Sequence, residues 1–209
     1  MAEILLYDVI GEQFGGVSAK QFVQELGSTS GPVTIRINSA GGIVSDGWAI
    51  YQAIRTHQQP VTVVVDAVAA SIASIIAMAG ERLIMADHAF LMIHNPWSMV
   101  MGDAKELRRV AATLDTFAEP SVAAYVKKTG ESRETIQAWM DEETWFTAAE
   151  ATEKGFADEV MESMPIAACV PAGLFKHTPT PLIQKDTDIQ ANAIRRSTTK
   201  SRLRAMGFA

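Results

Sequence analysis

Three short segments of this 209-residue chain carry the residue types that acyl-transfer chemistry needs. They are R-I-N-S-A-G-G at 36–42, A-A-S-I-A-S at 69–74 and L-M-I-H-N-P-W at 91–97, and each lies where an apolar run ends. In this order they supply paired glycines, a serine among small residues and a histidine. These groups serve as oxyanion donors, nucleophile and base. Each segment alone has a plain structural explanation, but the ordered combination predicts an acyl-transfer enzyme.

Ser71 is the stronger of two candidate nucleophiles. It follows a β-branched run and begins a segment that is apolar on nearly all sides, which predicts a buried helix over 71–79. The start of a helix offers free N–H groups and the positive end of its dipole, and both suit a developing oxyanion. Ser74 lies one turn later, and its hydroxyl is expected to point into the surroundings of the helix. The context is not the G-x-S-x-G of common esterases.

His94 is the candidate base, because it ends the strand L-M-I-H and Pro96 keeps the following backbone out of helix. The other histidines are weaker candidates. His57 is expected at a helix end facing solvent, His88 in a loop and His177 in the tail. Gly41 and Gly42 permit positive φ and an outward N–H, although a plain turn also explains the pair.

The elements that must position these residues alternate between strand and helix, which predicts an α/β fold with a largely parallel sheet. Strands are predicted over 3–9, 33–38, 61–65, 82–85 and 90–93, with a last one in F-A-D-E-V. Helices are predicted over 19–26, 44–57, 103–129 and 133–140, with a short one after the capping pair Thr147 and Glu150. Pro120 is expected to kink or break the long helix 103–129.

Charge divides the chain into an acidic body and a basic tail. Residues 1–164 carry a net charge of −11 and residues 165–209 a net charge of +5. The acidic body argues against a nucleic-acid enzyme. No apolar run approaches a membrane span, the N-terminus does not resemble a secretory signal, and the single cysteine fits a reducing, cytoplasmic setting. Scattered His and Cys give no metal-ligand spacing, and there is no P-loop motif, so no cofactor is predicted.

The tail differs in texture from the body. Residues 165–209 contain four prolines and little periodicity, which predicts a flexible segment beside a 1–164 catalytic domain. Its basic residues would dock on acidic surfaces or remain solvated, and both alternatives stay open. The basic residues at its end are Arg195, Arg196, Lys200, Arg202 and Arg204.

Four segments together resemble the ClpP family of serine peptidases, and most closely its variant from tailed bacteriophages, the head maturation or prohead protease. The segments are N-S-A-G-G-I-V with G-W-A-I-Y, A-A-S-I-A-S, M-I-H-N-P-W, and W-F-T-A-A-E-A-T-E-K-G-F-A-D. The resemblance covers about residues 3–161. It implies a ClpP/crotonase-type spiral of β-β-α units with a protruding helical segment, a ring-forming homo-oligomer, and scaffold and capsid proteins as substrates, with an external ATPase as a further possible partner.

The resemblance also implies a Ser-His-acid triad and a backbone oxyanion hole. Carried over, these are Ser71 and His94, with the N–H groups of Gly42 and Ile72. The acid falls at Glu143 where the family has Asp, with Asp141 and Glu142 as neighbouring competitors. The pair before A-A-S is Ala67-Val68, where the family has glycine first.

The sequence leaves two other functions open. One is a non-catalytic ring subunit that keeps the fold for assembly, and intact Ser71 and His94 argue against it. The other is a crotonase-like acyl-CoA enzyme, which would share the oxyanion geometry without needing the Ser–His pair. An exposed stripe on the helix 103–129 (Leu107, Val110, Leu114 and Phe117) favours assembly into rings. The expected break at Pro120 puts the stacking of two rings in doubt.

Overall fold

The computed structural model describes residues 2–162, 170–171 and 173–184. Its strands are β1 (Ala2–Tyr7), β2 (Val33–Ser39), β3 (Val61–Ala70), β4 (Arg82–Ala86), β5 (Phe90–Ile93), β6 (Thr144–Thr147), β7 (Glu159–Met161), β8 (Val170–Pro171) and β9 (Ile183–Gln184). Its α-helices are α1 (Ala19–Gly27), α2 (Val44–Arg55), α3 (Ile72–Ala77), α4 (Ala104–Thr129), α5 (Arg133–Asp141) and α6 (Ala148–Glu153). Short 3₁₀ turns lie at Glu12–Phe14 and Thr180–Leu182.

A seven-stranded sheet forms the centre of the first unit, and its strands β1-β2-β3-β4-β7 are parallel neighbours in that order. The strand β3 has two successive partners on one side. Its first half, Thr62–Val65, pairs with β4, and its second half, Val68–Ala70, pairs in parallel with β5. The strand β6 adds to β5 in antiparallel register. The predicted α/β class with a largely parallel sheet is confirmed.

Burial explains why these segments form a sheet. In β2 buried and half-buried residues alternate, as expected of a strand with one face in the core. Nearly all of β3 is buried, which suits its β-branched run. All six residues of α3 are buried as well, so this helix is part of the core. At Gly47 of α2 an added Cβ would overlap the Ile72 side chain, so glycine lets α2 approach the start of α3.

Of the kink or break expected at Pro120, the break is wrong. α4 runs as one helix from Ala104 to Thr129 with Pro120 inside it. Proline removes a single N–H from the ladder, and the helix continues because Val122 and Tyr125 in the following turn are buried. Asp103 caps its start, accepting from the N–H groups of Lys105 and Glu106.

Side-chain caps also begin two later helices, and one of them is the predicted pair of Thr147 and Glu150. Ser132 accepts from the Thr135 N–H at the start of α5. Thr147 and Glu150 form a reciprocal capping box at the start of α6. The chain turns at Gly155, shortly after the end of this helix, with a φ in the left-handed region.

A division between Ala168 and Cys169 separates this unit from a second one. In the second unit β8 and β9 pair in parallel. The predicted tail 165–209 lies largely outside the described residues, as do Cys169 and the basic residues at the end of the chain. No helix among the described residues is long and apolar enough to cross a membrane.

Candidate active site

The carboxyl ends of three neighbouring strands supply the site. Gly41 and Gly42 follow β2, Ser71 follows β3, and His94 follows β5. Because these strands are parallel, their carboxyl ends meet at one edge of the sheet. The structure therefore brings together the three segments that the sequence singled out.

Ser71 occupies a strained turn between β3 and α3. Its φ is 57° and its ψ is −131°, a conformation that costs a non-glycine residue about 1–3 kcal/mol. The turn lifts the hydroxyl out of the strand direction, as a nucleophile elbow does, although the G-x-S-x-G sequence is absent. Gly41 lies against it, since a Cβ added there would be 2.7 Å from the Ser71 Cβ. The side chain is half-buried.

His94 reaches Ser71 because β5 lies beside β3. The Ser71 N–H donates to the Met92 carbonyl at 3.0 Å, which fixes the two chain segments side by side. The imidazole Nε2 is 2.7 Å from the Ser71 Oγ. Burial lowers the pKa of His94 below its ordinary value of 6.5, and the nearby charge of Glu143 opposes this with a weaker upward effect. The ring is therefore neutral at pH 7, as a base must be.

Strand pairing places Glu143 across from His94. β5 and β6 are antiparallel with Ile93 opposite Thr144, so one step further along brings His94 opposite Glu143. The Glu143 side chain is buried and its charge acts on the His94 imidazole. Glu143 also has a positive φ of 52°, so the chain turns sharply between α5 and β6.

The two competing acids lie elsewhere. Asp141 accepts hydrogen bonds from Asn95 at 2.7 Å and from Gln137 at 2.8 Å. These donors lower the pKa of Asp141. Glu142 is exposed. Among the three candidates, the electrostatic influence on His94 comes from Glu143.

Two backbone N–H groups are available for an oxyanion. Ile72 is the first residue of α3, so its N–H has no acceptor within the helix. At Gly42 the φ is 154°, and an added Cβ would overlap the Ile10 carbonyl. The Ile10 N–H donates to the Gly41 carbonyl at 2.8 Å. Because a trans peptide directs its C=O and N–H oppositely, this bond turns the Gly42 N–H away from Ile10.

Ser74 and the other histidines have different surroundings. The Ser74 hydroxyl is buried, donates to the Ser71 carbonyl at 2.6 Å and lies 2.8 Å from the Tyr125 hydroxyl. His57 lies beside the Thr29 hydroxyl, and His88 beside the Asp87 carboxylate. The sequence did not indicate the contact with Tyr125, since 51 residues separate it from Ser74 and no local pattern links them.

A polar cluster around the buried Asp66 of β3 was also missed. Asp66 accepts from Arg36 in a two-pronged ion pair and from the Tyr7 hydroxyl at 2.6 Å. It lies where β3 changes partner from β4 to β5 and where its pairing with β2 shifts register. Burial, followed by the hydrogen bond to Asp66, raises the pKa of Tyr7.

A serine beside a neutral histidine, with two backbone N–H groups at the same edge of a largely parallel sheet, is the arrangement that serine peptidases use. Comparison with known proteins gives the family. The Clp protease family model matches residues 2–164. This chain belongs to the Clp protease family.

Individual relatives agree with this assignment. The ATP-dependent Clp protease proteolytic subunit 1 of Chlamydia abortus is 34% identical over 148 residues, which cover 69% of this chain and 77% of that protein. The protein of the same name from Protochlamydia amoebophila is 34% identical, with 69% and 72% covered. The structure of a ClpP1 mutant from Listeria monocytogenes matches with a TM-score of 0.67 and 27% identity, covering 77% of this chain and 91% of that one. The ClpP fold expected from the sequence is thereby confirmed.

Proposed function

We propose that this chain is an endopeptidase in which Ser71 is the nucleophile, His94 the general base and Glu143 the acid that orients it. The observation that carries the proposal is the 2.7 Å distance between the Ser71 Oγ and the His94 Nε2. The buried Glu143, just before the adjoining strand β6, adds the third group. The N–H groups of Gly42 and Ile72 are the proposed oxyanion donors.

The geometry supports the following steps. With its proton on Nδ1, His94 accepts the Ser71 hydroxyl proton at Nε2 while Oγ attacks the scissile carbonyl carbon. The carbonyl oxygen becomes an oxyanion that accepts from the two N–H groups, each contributing about 3 kcal/mol to lowering the barrier. The imidazolium then returns its proton to the leaving amine, and Glu143 stabilises the imidazolium charge. Water then attacks the acyl-enzyme by the same steps, and the carboxylic acid product leaves Ser71.

Labelling with a fluorophosphonate tests this proposal. We expect one adduct, located on Ser71 by mass spectrometry of the digested protein, and no adduct in Ser71→Ala. An adduct on Ser74 would show that the nucleophile is misassigned. A chain that folds but does not react would favour the non-catalytic ring subunit or the acyl-CoA enzyme, neither of which needs an activated serine.

We also propose that the substrates are scaffold and capsid proteins of an assembling phage head. The support is the resemblance of N-S-A-G-G-I-V, M-I-H-N-P-W and W-F-T-A-A-E-A-T-E-K-G-F-A-D to the head maturation branch. The relatives named above are instead Clp protease proteolytic subunits. A portal gene before this gene and a capsid gene after it would support the phage role. Co-expression with those capsid and scaffold proteins should yield cleaved products that are absent with Ser71→Ala.

The last part of the proposal concerns self-association and a separate ATPase that unfolds substrates. We propose a ring of identical subunits working in the host cytoplasm or inside the assembling head. The name of the relatives includes "ATP-dependent", whereas this sequence has no P-loop motif. Folded substrates would therefore require a separate ATPase, and short peptides would not. Stimulation of protein cleavage by an added Clp ATPase, with peptide cleavage unchanged, would support this division.

A further inference from the structure

The peptide unit between Ser71 and Ile72 is held from its carbonyl side. That carbonyl accepts from the Ser74 N–H at 3.0 Å and from the Ser74 Oγ at 2.6 Å. The N–H at the other end of the same peptide belongs to Ile72. Because the peptide is planar and trans, fixing the carbonyl direction also fixes the direction of the Ile72 N–H.

The Ser74 hydroxyl is itself held by Tyr125. A hydroxyl has one hydrogen, and Ser74 gives its hydrogen to the Ser71 carbonyl, so its oxygen accepts from the Tyr125 O–H at 2.8 Å. Both side chains are fully buried, and burial raises the pKa of Tyr125. The phenol therefore keeps its proton throughout the working pH range. Tyr125 lies in α4, and its ring packs edge-to-face with Phe156 at a distance of 6.0 Å between the ring centroids.

We propose that Ser74 and Tyr125 are positioning residues that orient the Ile72 N–H toward the oxyanion. The inference rests on the proposed function and deepens it. The Gly42 N–H is oriented in the same manner, through the Ile10 bond to the Gly41 carbonyl. Each oxyanion donor is thus controlled through the carbonyl of its own peptide. At Ser71 this control matters more, because the residue is held in a strained conformation.

A purely structural role accounts poorly for the pair. The neighbours of Ser74 in α3 are apolar, and an Ala with a Phe would fill nearly the same space. Burying two hydroxyls in that position carries a desolvation cost that Ala and Phe avoid. The hydrogen bonds lead from Tyr125 through Ser74 to the Ser71 carbonyl, so the pair holds the peptide that follows the proposed nucleophile.

Four variants test the proposal. They are Ser74→Ala, Tyr125→Phe, the double variant, and Ser28→Ala as a matched control. Ser28 also donates to a carbonyl three residues earlier, but at the exposed end of α1. The measurements are kcat and KM on a short peptide, the rate of Ser71 labelling by a fluorophosphonate, and the thermal midpoint.

Ser74→Ala should lower kcat and the labelling rate on the order of tenfold with KM within about twofold, because one oxyanion donor loses its fixed direction. Tyr125→Phe should lower kcat by about threefold, since Ser74 keeps its bond to Ser71. The double variant should be more stable than Ser74→Ala, because it leaves no orphaned phenol in the core. Its kcat should nevertheless remain as low as that of Ser74→Ala. Ser28→Ala should match the parent protein.

The inference would be overturned if the double variant regained kcat together with stability. Activity would then depend on core packing and not on the hydrogen bonds. An unchanged labelling rate in Ser74→Ala would overturn it as well. Neither result touches the proposed nucleophile. That proposal fails only if the parent protein does not react at Ser71.

Discussion

Glu143 places a negative charge beside an imidazole that burial keeps neutral. The two influences on the pKa of His94 have opposite signs, and the lowering by burial is the larger. In the proposed mechanism only the neutral imidazole accepts the serine proton, so we expect activity to be lost as pH falls through this pKa. We expect kcat/KM for a short peptide to have an acid limb with its midpoint below 6.5, the ordinary histidine value.

Replacing Glu143 with Gln should move that midpoint further toward acid. The change removes the carboxylate that raises the pKa of His94 and leaves burial unopposed. The maximal rate should fall on the order of a hundredfold to ten-thousandfold, because the amide does not orient and stabilise the imidazolium. The pH profile of kcat/KM measures both effects. Asp141→Asn is the matched control, and a shifted midpoint there with none in Glu143→Gln would reassign the acid.

The strain at Ser71 has a measurable energy. Glycine adopts a φ of 57° without the Cβ penalty, so Ser71→Gly should unfold with a free energy about 1 kcal/mol higher than Ser71→Ala. Urea denaturation of these two variants gives the difference. At Ser74, inside α3, the order should reverse, with Gly less stable than Ala. Equal stabilities at Ser71 would mean that the turn relaxes when the hydroxyl is removed.

At this scale the sequence singled out Ser71 and His94 because small residues and a strand end mark them locally, and the structure places the two side chains 2.7 Å apart. It put Glu143 ahead of Asp141 and Glu142 only through the family resemblance, because three consecutive acids carry no register of their own. The pairing of Ile93 with Thr144 supplies that register, and it depends on tertiary structure. The link between Ser74 and Tyr125 was hidden for the same reason.

Among the elements, α4 shows where a local rule fails. Proline removes the N–H that would reach the Thr116 carbonyl, yet the helix continues through Pro120. Pro120→Ala should restore that bond and raise the free energy of unfolding by about 1–3 kcal/mol, with peptide cleavage unchanged. Ala111→Pro, an exposed position in the same helix, should lower it by a similar amount. A less stable Pro120→Ala would show that the ring contributes packing that outweighs the missing bond.

Most strands and helices were predictable because their hydrophobic periods are regular. The strand β3 was predicted only to residue 65, whereas it extends to Ala70. The small residues of its second half have weak strand preference, so this half is a strand because it pairs with β5. The antiparallel β6 was not predicted, since four residues beside a capping box give too short a pattern.

The whole molecule exposes apolar surface along α4. Leu107 and Phe117 are each almost half exposed, with the half-buried Val110 and Leu114 between them. A stripe of this kind favours association. Native mass spectrometry at micromolar concentration should therefore show a closed oligomer rather than a monomer. Leu107→Asp with Phe117→Asp should reduce the mass, whereas Thr113→Asp on the same helix should not. A monomeric parent protein would contradict the proposed ring.

The change of partner along β3 divides the site into two parts that need not open together. Gly42 follows β2 and Ser71 follows β3, and the strands β1–β3 are paired over long registers. His94 follows β5 and Glu143 precedes β6, and among the described residues this strand pair is joined to β3 by three residue pairs between β3 and β5. Hydrogen–deuterium exchange should therefore be faster over 90–93 and 144–147 than over 33–37 and 61–65. In urea, cleavage should cease before the protein unfolds globally and return on dilution, because local opening carries base and acid away while the nucleophile stays in place. Uniform exchange across all five strands would show that the site opens only when the whole sheet does.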